Sequence, residues 1–161
     1  RRDGDEWEEL DFDEGENYGY MEMEIVKASE GGLNCNDGWM VLYSKASNTW
    51  GPLLYDIAME WATINGGGLF PDRTTVSRDA YYVWKYYMNN RADVEVIQLD
   101  DEEDSFKNGP ADDCEQGTAR EYAKRLNHKW TDDPLSKLYR KPQPESIEHL
   151  KSDDKLILRG T

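Results

Sequence analysis

Two segments of this chain carry too much like charge to fold onto themselves, and together they limit where a core can form. Residues 1–17 hold nine acidic and two basic residues, and residues 100–116 hold eight and one, so each nets −7. The stretch between them, 18–99, nets only −4, and the tail 117–161 nets +3. Blocks of like charge repel and stay solvated. Residues 1–17 therefore read as an acidic N-terminal arm, with Trp7, Leu10 and Phe12 as its only docking groups. Residues 100–116 read as an acidic loop with a turn signal at Asn108-Gly109-Pro110. Residues 18–99 read as the core, and 117–161 as a C-terminal helical extension with a final edge strand at Lys155–Leu158.

With 161 residues the chain suits one domain. Only 37% of it is apolar, but six Trp, ten Tyr and three Phe can carry the burial. No run approaches the roughly 18 apolar residues of a membrane helix, so the chain does not read as a membrane protein, and with no visible signal peptide it reads as cytoplasmic. The formal charge of −15 repels phosphate backbones, which excludes ordinary nucleic-acid binding and points to a basic protein partner. Cys35 and Cys114 form no CxxC pair and read as the reduced thiols of a cytosolic protein. Two histidines are too few for the usual zinc set, and no metal is expected. Asp11-Phe12-Asp13-Glu14-Gly15 hints at a calcium loop, but its glycine comes one position early and its twelfth residue, Glu22, falls in a strand pattern.

Periodicity orders the remainder. Tyr18–Ala28 alternates as a strand, and Trp39–Tyr43 is a continuous apolar strand followed by a polar loop at Lys45–Thr49. Pro52 opens a helix to Ile64 whose apolar face is Leu53, Leu54, Ile57, Ala58, Trp61 and Ala62, and Gly66–Gly68 ends it. Leu69-Phe70 is a short strand. Ser77 caps a second helix to Asn89 in which Trp84 is a core residue. Val94–Leu99 is a strand. Thr118-Ala119-Arg120-Glu121 is a capping box opening a third helix. A short helix spans Pro134–Tyr139. Arg73 reads as pairing with Asp72 or Asp79, with anion binding as the alternative, and His128 reads as a surface histidine. The fold class is α/β (α+β): a central mixed sheet flanked by helices in a single domain.

The block Trp39–Leu99 resembles the second half of the GNAT fold of N-acetyltransferases. Asn48-Thr49-Trp50-Gly51-Pro52-Leu53, leading into a helix, aligns with that family's pyrophosphate loop, Arg/Gln-x-x-Gly-x-Gly/Ala. Gly51 matches the first glycine. Asn48 replaces the Arg/Gln, Leu53 replaces the second small residue, and Pro52 removes an N–H donor. Ser77-Arg78-Asp79-Ala80-Tyr81-Tyr82-Val83-Trp84 aligns with Asn-x-x-Ala-x-x-x-Tyr, with Trp84 at the position of the proton-donating tyrosine. An indole N–H is far too weak an acid for that role. Asp72–Ser77 also resembles acetyltransferase-like domains of phage proteins, which would place the chain in a host cytoplasm or a virion.

The resemblance implies acetyl-CoA held by Asn48, Thr49, Trp50 and Gly51. Glu22 or Glu24 would be the base for a cationic amine and Tyr82 the acid, in an acyl-CoA-dependent N-acyltransferase. The degenerate motifs favour instead a catalytically silent GNAT-like structural or interaction module with no cofactor. Asp100, Asp101, Glu102, Glu103 and Asp104 would then bind the basic partner. A DNA-mimic inhibitor is a further alternative, since the acidic segments imitate phosphate spacing.

Overall fold

The computed structural model describes residues 19–25, 35–46, 51–99, 114 and 116–153. Its elements run β1 (Gly19–Ile25), β2 (Trp39–Ala46), α1 (Gly51–Asn65), β3 (Leu69–Phe70), α2 (Arg78–Asn90), β4 (Glu95–Gln98), α3 (Gly117–Leu126), β5 (Lys137–Arg140) and α4 (Glu145–Ser152). The strands form one mixed sheet in the order β1-β2-β3-β5-β4. β2 and β3 are parallel, with Trp39 opposite Leu69 and Met40 opposite Phe70, and α1 makes the crossover between them. The other neighbours are antiparallel, and β1 carries a register shift between Glu22 and Met23. The expected mixed α/β fold in a single domain is therefore present.

Successive strand residues point to opposite faces, and each face has its own cluster. Val41, Leu69 and Tyr139 face a cluster built with Tyr55, Ala58, Met59 and Ala62 of α1, Tyr81, Trp84 and Tyr87 of α2, and Ala119 of α3. Rings do most of this packing. Trp84 stands edge-on to Tyr55 at 5.4 Å and tilts onto Tyr139 at 4.9 Å, while Tyr81 stacks on Tyr122 at 4.6 Å. A buried tyrosine needs a partner for its hydroxyl. Tyr139 accordingly donates to Pro134 O, Tyr81 to Asp133, and Tyr87 to Asp56 and Pro52 O.

Phe70, Leu138 and Met40 face the other way, onto Cys35, Cys114 and Leu99. Here the sequence reading is corrected. Cys35 and Cys114 are not two thiols but one buried disulfide, closing a separation of 79 residues with the Cα atoms 4.7 Å apart. Cys35, Asn36 and Asp37 make a turn with φ of 40°, 55° and 54°, a region that only short polar side chains tolerate readily. The chain after α1 passes tightly beneath this turn. Gly67 N donates to Asp37 O and Gly68 O accepts from Trp39 N, and a Cβ at Gly67 would overlap the Asn36 carbonyl. The glycine run thus admits a close backbone approach as well as ending α1.

Other expectations also shift. The buried stripe of α1 is Tyr55, Ala58, Met59 and Ala62, whereas Leu54, Ile57 and Trp61 are only half-buried. The two stripes differ by about one position, and Trp61 leans on Trp39 at 4.6 Å instead. β2 continues through Lys45, read above as loop, because β1 pairs with it to Ala46. Pro134–Tyr139 is not a helix. A single turn at Pro134–Ser136 leads into β5, which inserts between β3 and β4. Thr118 does not cap α3: the helix begins at Gly117, and the buried Thr118 hydroxyl donates to Arg73 O. α4 was not foreseen. The N-terminal arm and the Lys155–Leu158 strand lie outside the described residues.

Candidate functional site

The residues proposed for catalysis lie on different elements. Glu22 and Glu24 are on β1, the outermost strand, with Glu24 exposed and Glu22 half-buried. Tyr82 is on the outer face of α2, 52% exposed, against the Tyr81 ring and below Lys85. Neither glutamate is a partner of Tyr82. Trp84, at the family's tyrosine position, is 1% exposed and forms the centre of the core. The neighbouring tyrosines are poor replacements. Tyr81 and Tyr87 donate hydrogen bonds to carboxylates, and burial first, then the bonded Asp133 or Asp56, pushes both phenols well above the ordinary value. Such phenols hold their protons rather than release them near neutral pH.

Gly51 is the first residue of α1, while Asn48, Thr49 and Trp50 lie outside the described residues. Helix N-termini favour anions. In this helix, however, a carboxylate already sits one turn in: Asp56 accepts from Tyr87 and from Arg91, whose Nη1 lies 2.9 Å away. Asp100, Asp101, Glu102, Glu103 and Asp104 also lie outside the described residues.

A different cluster forms where α3 ends. Asn127 takes a left-handed conformation that turns the chain, and the amides of Asn127 and His128 both close on Ala123 O. His128 Nε2 then lies 2.8 Å from Asp133 Oδ2. Asp133 is fully buried, and it also accepts from the Tyr81 hydroxyl and from Leu135 N. The sequence reading of His128 as a surface histidine missed this partner, since only the turns between residues 127 and 136 bring the two together. Beside them Arg120, Ala123, Lys124, His128, Lys129 and Trp130 line an open hollow of about 330 Å³. The Arg120 guanidinium covers the Trp130 ring at 4.3 Å. The only hint in the sequence was the +3 balance of the tail.

Arg73 likewise departs from its expected pairing. It is buried and donates to Pro71 O, Leu135 O and Gln116 Oε1, tying β3 to the segment before β5. Asp72 instead closes a local turn on Thr74. Among the described residues no group of side chains could hold a metal ion, and no helix is long and apolar enough to cross a membrane. No family model, no curated protein and no solved structure matches this chain.

Proposed function

We propose that this domain is a catalytically silent, GNAT-like interaction module that binds a basic protein through its acidic segments. The observation that carries the reading is Trp84. The side chain at the position of the proton-donating tyrosine is 1% exposed and packed between Tyr55 and Tyr139. It can neither reach a substrate nor donate a proton usefully. The parallel pair β2/β3, joined through α1 and followed by α2, supports the GNAT-like part of the reading. The half-buried carboxylate of Asp56 near the start of α1, paired with Arg91, supports the silent part, because it stands where a pyrophosphate would need cations or free amides. The binding part rests on the −7 of residues 100–116, which would steer a cationic surface.

Calorimetric titration with acetyl-CoA tests the silent reading. We expect no saturable binding, and a dissociation constant near micromolar would overturn it. Gly51, standing at the first turn of α1, favours that second reading as an N-acyltransferase. The binding part is tested by neutralising Asp100, Asp101, Glu102, Glu103 and Asp104 to Asn or Gln. Association with a basic partner should slow and lose its salt dependence. Association insensitive to both salt and these substitutions would refute it.

A further inference from the structure

The hollow at the end of α3 has the opposite sign to the net charge of the protein. In a chain with 34 acidic and 19 basic residues, it is lined by three formal cations and a histidine, and no carboxylate is among its lining residues. Lys124 and Lys129 are exposed, and neither forms an ion pair among the described residues. Arg120 lies over the ring of Trp130, itself only 8% exposed, at the floor of the hollow. His128 forms the wall and is oriented from behind by the buried Asp133, so its ring does not have to be ordered when a ligand arrives. The α3 C-terminus would by itself disfavour an anion. Its Ala123 carbonyl is nevertheless already satisfied by two amides, and Lys124 and Arg125 occupy the last turn. Among the described residues of this segment the carboxylates are Asp133, behind His128, and the exposed Asp132 and Glu121.

We propose that this hollow is a binding site for a compact, multiply charged oxyanion of the phosphate class, with Lys124 and Lys129 supplying the charge. The net −15 repels anions at long range, but that field is screened beyond ~10 Å at 0.1 M salt, whereas contact with the two lysines is not. This site is independent of the acidic segments and of the silent reading.

The test uses the full chain and inorganic phosphate, followed by NMR of the histidine rings. The protein has two histidines, and His149, on α4 with its side chain 76% exposed, is an internal control. His149→Gln assigns the signals. Phosphate should shift the His128 ring saturably and leave His149 unmoved, while chloride at equal ionic strength should not reproduce the effect. Lys124→Gln/Lys129→Gln should weaken binding at least tenfold with an unchanged melting temperature, since both lysines are exposed. An equal response to chloride, equal shifts at both histidines, or unchanged binding in the double variant would each overturn the proposal.

Discussion

Glu60 and Lys141 make the most consequential polar contact in the core. Their side chains are 0% and 2% exposed, and Nζ lies 2.5 Å from Oε2. Glu60 also reaches from α1 to the start of α4, accepting from Ser146 N and Ile147 N. One carboxylate thus satisfies an ammonium and two amides that α4 itself leaves unpaired. Replacing Lys141 by Met keeps the aliphatic stem but strands the carboxylate. Breaking one side of a buried pair costs about 3–5 kcal/mol. At about 2–4 °C per kcal/mol for a chain of this size, the melting temperature should fall by about 6–20 °C.

Glu60→Gln should cost less. Its amide oxygen still serves an N–H, and Lys141 retains the Gln143 carbonyl at 3.4 Å and Asp93 at 3.9 Å. The double variant removes both charges, so it should be less destabilised than the sum of the singles, with a coupling of about 1–3 kcal/mol. Urea unfolding at pH 7, with an unchanged slope as the check on two-state behaviour, measures all three. A cost below about 1 kcal/mol for Lys141→Met, or single effects that add to within about 0.5 kcal/mol, would refute the argument.

Removing the disulfide as Cys35→Ser/Cys114→Ser should cost about 4 kcal/mol by the chain-entropy estimate for a loop of roughly 80 residues, and melting that is indifferent to both the substitutions and reductant would show that the thiols are not paired. Met59→Ala should cost about 2–5 kcal/mol because its side chain is wholly buried, whereas Leu54→Ala should cost less than half as much; the reverse order would restore the stripe expected from periodicity. The Arg91 guanidinium beside Asp93 holds that carboxyl below its ordinary value. This contribution is therefore present above the unfolded value near pH 3.9 and is lost as pH falls through the folded one. Because Asp93 is 45% exposed, Asp93→Asn should cost under about 1 kcal/mol at neutral pH. The difference should vanish in acid, and a difference that grows with acidification would contradict the assignment.

Most local structure was legible because its causes are local. Ser77 accepts from Ala80 N as an N-cap should, Trp39 begins a strand, and Leu69-Phe70 forms one. Each follows from side-chain chemistry within a few residues. The stripe of α1 was misplaced because apolar residues occur around much of that helix, and periodicity alone cannot say which of them meets the sheet. Thr118 carries a capping signature, yet its hydroxyl serves Arg73 across 45 residues, since a buried carbonyl there needed a donor. The helix expected over Pro134–Tyr139 gives way at Lys137–Arg140 to β5, because that segment pairs with both β3 and β4.

By itself, then, the amino-acid order determined the segmentation by charge, the α/β class, the Ser77 cap, and a core carried by rings. These depend on composition and on spacings of two to four residues. Only the tertiary structure decided that Cys35 meets Cys114, that Glu60 meets Lys141, that Asp133 stands between Tyr81 and His128, and that a basic hollow opens on an acidic protein. Each of those joins groups from different turns or elements. Their proximity is set by how the sheet and helices stack, which pairs residues that may be as few as 5 or as many as 81 positions apart, so no short-range rule can announce it.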